Sequence, residues 1–185
     1  MDYYVMECEG EYPIRTLDDT PHLGKPPWMH GSVVRPPDCQ LVYILDSEPS
    51  GNMKAMYTGP QYPIMREDLI TALQAAGVDN LQLFDAVVRD PETGKEYTNY
   101  KAFNIVGVVA AADMDASELM QTSSSTMIDV DFDSLVIDEE KAKPFKLFRL
   151  AESVNAIIVS NNVRLEIERR GIPGMVFYDP RNWAG

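Results

Sequence analysis

Apolar and polar positions along the chain separate two stretches of different character. In the first sixty residues, short apolar islands stand in a proline-rich matrix. Tyr3 to Cys8 predicts a strand, and Leu41-Val42-Tyr43-Ile44-Leu45, apolar throughout, predicts a second and central one. Between them lie Pro13, Pro21, Pro26, Pro27, Pro36 and Pro37, with Gly24 and Gly31. Each proline removes a backbone donor and restricts its predecessor. This predicts a long loop strapped across the core, with a partner-binding loop as the alternative.

From residue 64 the period changes. After Arg66-Glu67-Asp68, the residues Leu69, Ile70, Leu73 and Ala76 recur at helical spacing and end at Gly77. Asn80 to Val88 predicts a strand and Asp90-Pro91-Glu92-Thr93-Gly94 a turn. Tyr97 to Ala111 then predicts the returning strand of a long hairpin. Further on, Ala156 to Val159 predicts a strand, and Ser160 an N-cap. Val163 and Ile167 mark one face of a helix closing at Gly171, and Gly174 to Tyr178 a last strand.

Residues 64–85 and 158–179 align without a gap at an offset of 94. Ile64 falls on Ile158, Leu73 on Ile167, Gly77 on Gly171 and Leu83 on Phe177. Generic helix–glycine–strand spacing and a true duplication both account for this match. The expected fold is a single α+β domain over 1–185, with one mainly antiparallel sheet flanked by two similar helix–strand units. Residues 1–60 form its proline-rich region.

Charge narrows the function. Twenty-nine acidic residues against 16 basic ones leave a net charge of -13. Nucleic acid or an anionic membrane would repel such a chain, so a basic protein, or no partner, is favoured. The longest apolar run, 102–112, is shorter than the ~20 residues of a membrane span. Two cysteines, Cys8 and Cys39, give no disulfide framework. Met1 to Cys8 lacks the positive start of a secretory signal. The expected location is the cytoplasm, and no cofactor is expected.

The acids are unevenly spread. Asp113, Asp115, Glu118, Asp129, Asp131, Asp133, Asp138, Glu139 and Glu140 lie in one segment without a basic residue, around the polar run Thr122 to Thr126. Asp129, Asp131, Asp133 and Glu140 match positions 1, 3, 5 and 12 of a calcium loop, but Ser134 replaces the turn glycine. A strand accounts for the alternation better, with the three aspartates on one face and Val130 and Phe132 on the other. That carboxylate row is either a solvated face or a docking surface for a basic partner, with Trp28 or Trp183 as aromatic anchor. His22, His30 and Cys39 lack close zinc-ligand spacing, and neither cysteine forms a convincing nucleophilic pair with a histidine.

From Pro63 to Pro180 the chain resembles the eleventh-numbered immunity family of bacterial polymorphic toxin systems. The resemblance rests on Leu69 to Gly77 with Val78 to Phe84, on Tyr100-Lys101-Ala102-Phe103-Asn104-Ile105-Val106 and on Asp113-Met114-Asp115-Ala116-Ser117. It continues through Leu147-Phe148-Arg149-Leu150, Ile158-Val159-Ser160, Val163 and Gly171 to Phe177. It implies a non-enzymatic protein that neutralises a co-encoded toxin, and the acidic balance suits a basic nuclease. The rival readings are a metal-dependent hydrolase using the acidic segment and a non-protective adaptor of a secretion system. The oligomeric state is not fixed by the sequence.

Overall fold

Three helices form among the described residues, 2–47, 50–120 and 130–185, of this computed structural model. They are α1 (Glu67–Ala75), the short α2 (Glu139–Ala142) and α3 (Asn161–Arg170). At the start of α1, Glu67 and Asp68 face the positive end of the helix dipole, and Arg66 grips Asp68 through two hydrogen bonds of 2.7 and 2.9 Å. α1 buries Leu69, Ile70, Ala72 and Leu73, whereas α3 buries Val163 and Ile167. Both helices end where a glycine adopts positive φ, 82° at Gly77 and 63° at Gly171, conformations a Cβ would disfavour. Ser160 does occupy the N-cap of α3, but its hydroxyl makes no hydrogen bond among the described residues. The expected cap is one of position only.

Each long helix connects two parallel strands with a gap between them, and a third strand fills that gap antiparallel to both. Around α1 the pair is Ile64–Arg66 and Leu81–Arg89, filled by Tyr100–Ile105. Around α3 the pair is Ile157–Ser160 and Met175–Tyr178, filled by the N-terminal strand Tyr3–Cys8. The registers coincide. Ala102 opposes Ile64 and Phe84, and Val5 opposes Ile158 and Tyr178. The outer strands repeat as well: Tyr57 of Met56–Tyr57 opposes Ile64, and Phe148 of Leu147–Leu150 opposes Ile158. Generic helix–glycine spacing does not dictate four strands in shared register. The two units are a structural repeat.

Each unit is extended differently. Leu41–Leu45 pairs with Leu81–Arg89 on one side and Leu17–Asp19 on the other, which places it inside a seven-stranded sheet. The second unit belongs to a separate five-stranded sheet ending at Val108–Val109, so the two units do not flank the one sheet expected: each closes its own gap with its own filler strand. The predicted hairpin is present, but its returning strand is broken into Glu96–Tyr97, Tyr100–Ile105 and Val108–Val109. The Val106 N–H donates to Asn80 and the Gly107 N–H to Gly31, and the chain then crosses to pair with Leu147–Leu150 in the other sheet.

The inner faces of both sheets and both long helices close on one apolar core containing Met6, Met65, Phe103, Leu147 and Val159. Fully burying each such side chain contributes about 1.5–3 kcal/mol before entropy is charged against it. The outer faces carry separate clusters, one around Tyr43, Tyr62 and Trp28, the other around Phe148, Phe132 and Trp183. The proline-rich segment crosses the first outer face as a strap. Trp28 N–H donates to the Gln61 carbonyl, and the Val34 backbone exchanges hydrogen bonds of 2.8 and 3.0 Å with the Gln82 amide. No helix among the described residues is long and apolar enough to cross a membrane. The fold is α+β and mostly sheet.

Candidate functional site

The acidic segment divides into three local structures that use their carboxylates differently. Asp113 opens a turn. Its Oδ1 accepts from the N–H groups of Asp115 and Ala116, and its carbonyl accepts from the Ser117 hydroxyl at 2.7 Å. Asp138 caps α2, accepting from Glu140 N and Lys141 N, and it pairs with Lys141 Nζ at 3.1 Å. The Lys141 hydrogen bond leads the contributions that lower the pKa of Asp138 below the usual carboxylate value. Glu140 faces Lys143 at 3.7 Å, while Glu139 is exposed. Lysines just beyond the segment therefore offset part of its charge.

Between these structures lies a small hairpin, Glu118–Leu119 against Phe132–Ser134. Phe132 points inward and is fully buried, whereas its neighbours Asp131 and Asp133 are exposed, as alternation along a strand requires. The far edge of Phe132 exchanges backbone hydrogen bonds with Gly185, which ties the hairpin to the C-terminal residues. Asp115, Glu118, Asp131 and Asp133 are all exposed and, among the described residues, form no ion pair. Asp129 and the Thr122 to Thr126 run lie outside the described residues. Leu119 is 41% exposed on the same hairpin. Pattern reading passed over it because one leucine between acids carries no periodic signal.

The aromatic anchors are corrected by burial. Trp28 is 4% exposed and packs on Tyr62 and Phe84, with ring centroids 5.0 and 4.8 Å away. Trp183 is 6% exposed, and its indole N–H donates to Glu7 Oε1 at 2.6 Å. Both serve the outer-face clusters. The calcium-loop reading also loses its geometry: Asp131 and Asp133 flank a strand residue, and Glu140 belongs to a separate helix. Among the described residues, no group of three or more histidine, cysteine, aspartate or glutamate side chains is placed to hold a metal.

One cation escaped sequence reading. Arg149 is 2% exposed within Leu147–Leu150 and donates to the Val154 carbonyl at 2.7 Å. It forms no ion pair among the described residues, and burial pulls its pKa down to about 10. Its short apolar context, Leu-Phe-Arg-Leu, reads as an ordinary strand with one outward charge, so burial was not visible there.

The model of the immunity protein family Imm11 matches residues 47–182, which takes in α1, the acidic hairpin and α3 and leaves out Tyr3–Cys8. No curated protein matches the chain. With a match across most of its length, the chain belongs to the immunity protein family Imm11.

Proposed function

We propose that this immunity protein binds a co-encoded antibacterial toxin in the cytoplasm and covers a basic surface on it, that of a nuclease domain, with its acidic hairpin. Membership of the family supports the toxin partner. The observation that carries the rest is the set of exposed carboxylates Asp115, Glu118, Asp131 and Asp133 that have no ion-pair partner among the described residues. A nuclease cleft is basic because it holds phosphates, so its field and this face attract. Such steering raises association from about 10⁵–10⁶ to as much as 10⁸–10⁹ M⁻¹s⁻¹ at low salt. Fast capture matters for an inhibitor that must reach the toxin before the substrate does. Inhibition then needs no chemistry of its own, because a standard interface of about 800 Å² per partner is enough to close a cleft mouth.

The test is co-expression in bacteria with the protein encoded beside this one, scored for growth and for co-purification. Rescue from a lethal neighbour together with a stable complex is the expected result. A harmless neighbour and no complex would overturn the reading. A toxin that is neutralised but has no nuclease activity would overturn only the choice of target.

A further inference from the structure

Beneath the proline-rich strap, on the outer face of the first sheet, lies a half-enclosed pocket of about 410 Å³. That is within the size range of small-molecule sites. Leu23, Trp28 and Val34 supply apolar walls, and Asn104 lines it as well. Asn104 is 1% exposed, and its amide orientation is fixed: Nδ2 donates to the Ser32 carbonyl at 2.8 Å and to Gln82 Oε1 at 2.9 Å. Its Oδ1 is buried and, among the described residues, has no hydrogen-bond partner. A buried acceptor left in this state carries an uncompensated desolvation cost, which a ligand donor would recover.

The repeat indicates what kind of donor fits. Asn104 opposes Gln82, and Glu7 opposes Val176, so Asn104 and Glu7 hold equivalent positions in the two units. Each lies two residues beyond an outer-face residue, Ala102 and Val5, and so points the same way. In the second unit the Glu7 carboxylate accepts the indole N–H of Trp183. In the first unit the Asn104 oxygen has no such donor. The pocket also differs in charge from the rest of this acidic chain. Lys25, His30 and Arg35 line it, and among the described residues no aspartate or glutamate does. Lys25 and Arg35 are exposed and, among the described residues, engage in no ion pair.

We infer that this pocket is a binding site for a small planar aromatic anion carrying an N–H donor, of the indole carboxylate class. The ring lies against Trp28, a small displacement of the strap at Ser32 opens Asn104 Oδ1 to the N–H, and the carboxylate meets Lys25 and Arg35 at the rim. The site lies on the first sheet, away from the acidic hairpin of the second unit, and does not depend on the toxin reading.

Calorimetric titration of the intact protein with indole-3-acetate tests this. One saturable site is expected. 1-Naphthaleneacetate keeps the bicyclic ring and the charge but lacks the N–H, and it should bind about tenfold more weakly. The uncharged indole-3-acetamide should also bind more weakly than the acetate. The double variant Lys25→Gln, Arg35→Gln should erase the difference between acetate and acetamide while leaving the fold intact. No saturable binding, or equal affinity for all three probes, would overturn the proposal. So would an acetate preference that survives in the double variant.

Discussion

Tyr3 and Tyr100 perform one task in two copies of the same motif. Tyr100 donates its hydroxyl to the Lys54 carbonyl at 2.7 Å, and Tyr3 donates to the Phe145 carbonyl at 3.2 Å. Each acceptor lies two residues before the outer-strand residue, Met56 or Leu147, that opposes Met65 or Val159. Both tyrosines are buried, and desolvation raises both pKa values. Each hydroxyl therefore ties a central strand to the segment leading into the outer strand of its sheet. Tyr3→Phe and Tyr100→Phe should each destabilise the protein by about 1 kcal/mol, the net worth of one such hydrogen bond. Urea unfolding of the two variants measures this. The longer bond of Tyr3 predicts the smaller loss.

The helices offer a second matched pair. Leu73 of α1 and Ile167 of α3 are equivalent positions, and both are buried in the single core that the two sheets share. Truncation at either site removes apolar contact and leaves a cavity that neighbouring elements close only in part. Leu73→Ala and Ile167→Ala should each cost about 2–5 kcal/mol. A loss below 1 kcal/mol at either position, by denaturant titration, would mean that the helices do not share a rigid core.

Much of this repeat was legible in the sequence, and the reason for the remainder is topological. Helix period, glycine stops and apolar strands are local signals, so α1, α3 and the strands around 80–88, 156–159 and 174–178 follow from residues near one another, whereas Ile64–Arg66 ahead of α1 is too short to carry such a signal. The filler strands are not local. Tyr100–Ile105 follows its unit in the chain, whereas Tyr3–Cys8 comes about 150 residues before its own unit. Tyr3 and Tyr100 therefore align at a spacing unrelated to the gapless offset of 94, and their equivalence emerges only from register. The acidic site was legible in the same partial way. Alternation placed Asp131 and Asp133 outward, but the cap formed by Asp138 and the burial of Trp28 depend on elements packed from elsewhere.

A buried ionic cluster should set the acid limit of stability. Arg15 Nη1 meets Asp90 at 2.9 Å and its Nε meets Asp46 at 3.0 Å, with Arg15 and Asp90 each 3% exposed. The Arg15 hydrogen bond, against desolvation and with help from Thr93 and Glu92, holds Asp90 well below the usual carboxylate range. At Asp46 desolvation works upward, but hydrogen bonds from Thr16 and Arg15 outweigh it and the pKa is lowered. Both folded-state values lie below the unfolded value of about 4. Their stabilisation is therefore present above that pH and lost as pH falls through the folded values. Arg15→Met should lower the thermal midpoint by roughly 10 °C at pH 7, since it strands two carboxylates. It should also flatten the decline below pH 4. A variant whose midpoint falls with acid as steeply as the parent's would show that other carboxylates control this limb.

The hairpin separates electrostatic capture from fold stability. Asp131 and Asp133 are exposed, engage no cation among the described residues and flank a buried Phe132 that anchors the strand. Asp131→Asn with Asp133→Asn keeps side-chain size and removes two charges, so unfolding free energy should change by less than about 0.5 kcal/mol. Association with the toxin should respond differently. Exposed charges act over roughly 10 Å at 0.1 M salt, which governs encounter more than the docked state. The double variant should bind more slowly at low salt, with a shallower dependence of association rate on ionic strength and little change in dissociation rate. Stopped-flow or surface-binding kinetics across a salt series distinguishes the cases. A parallel drop at every salt concentration would place these aspartates in direct contacts of the complex, and unchanged rates would move the docking face away from the hairpin.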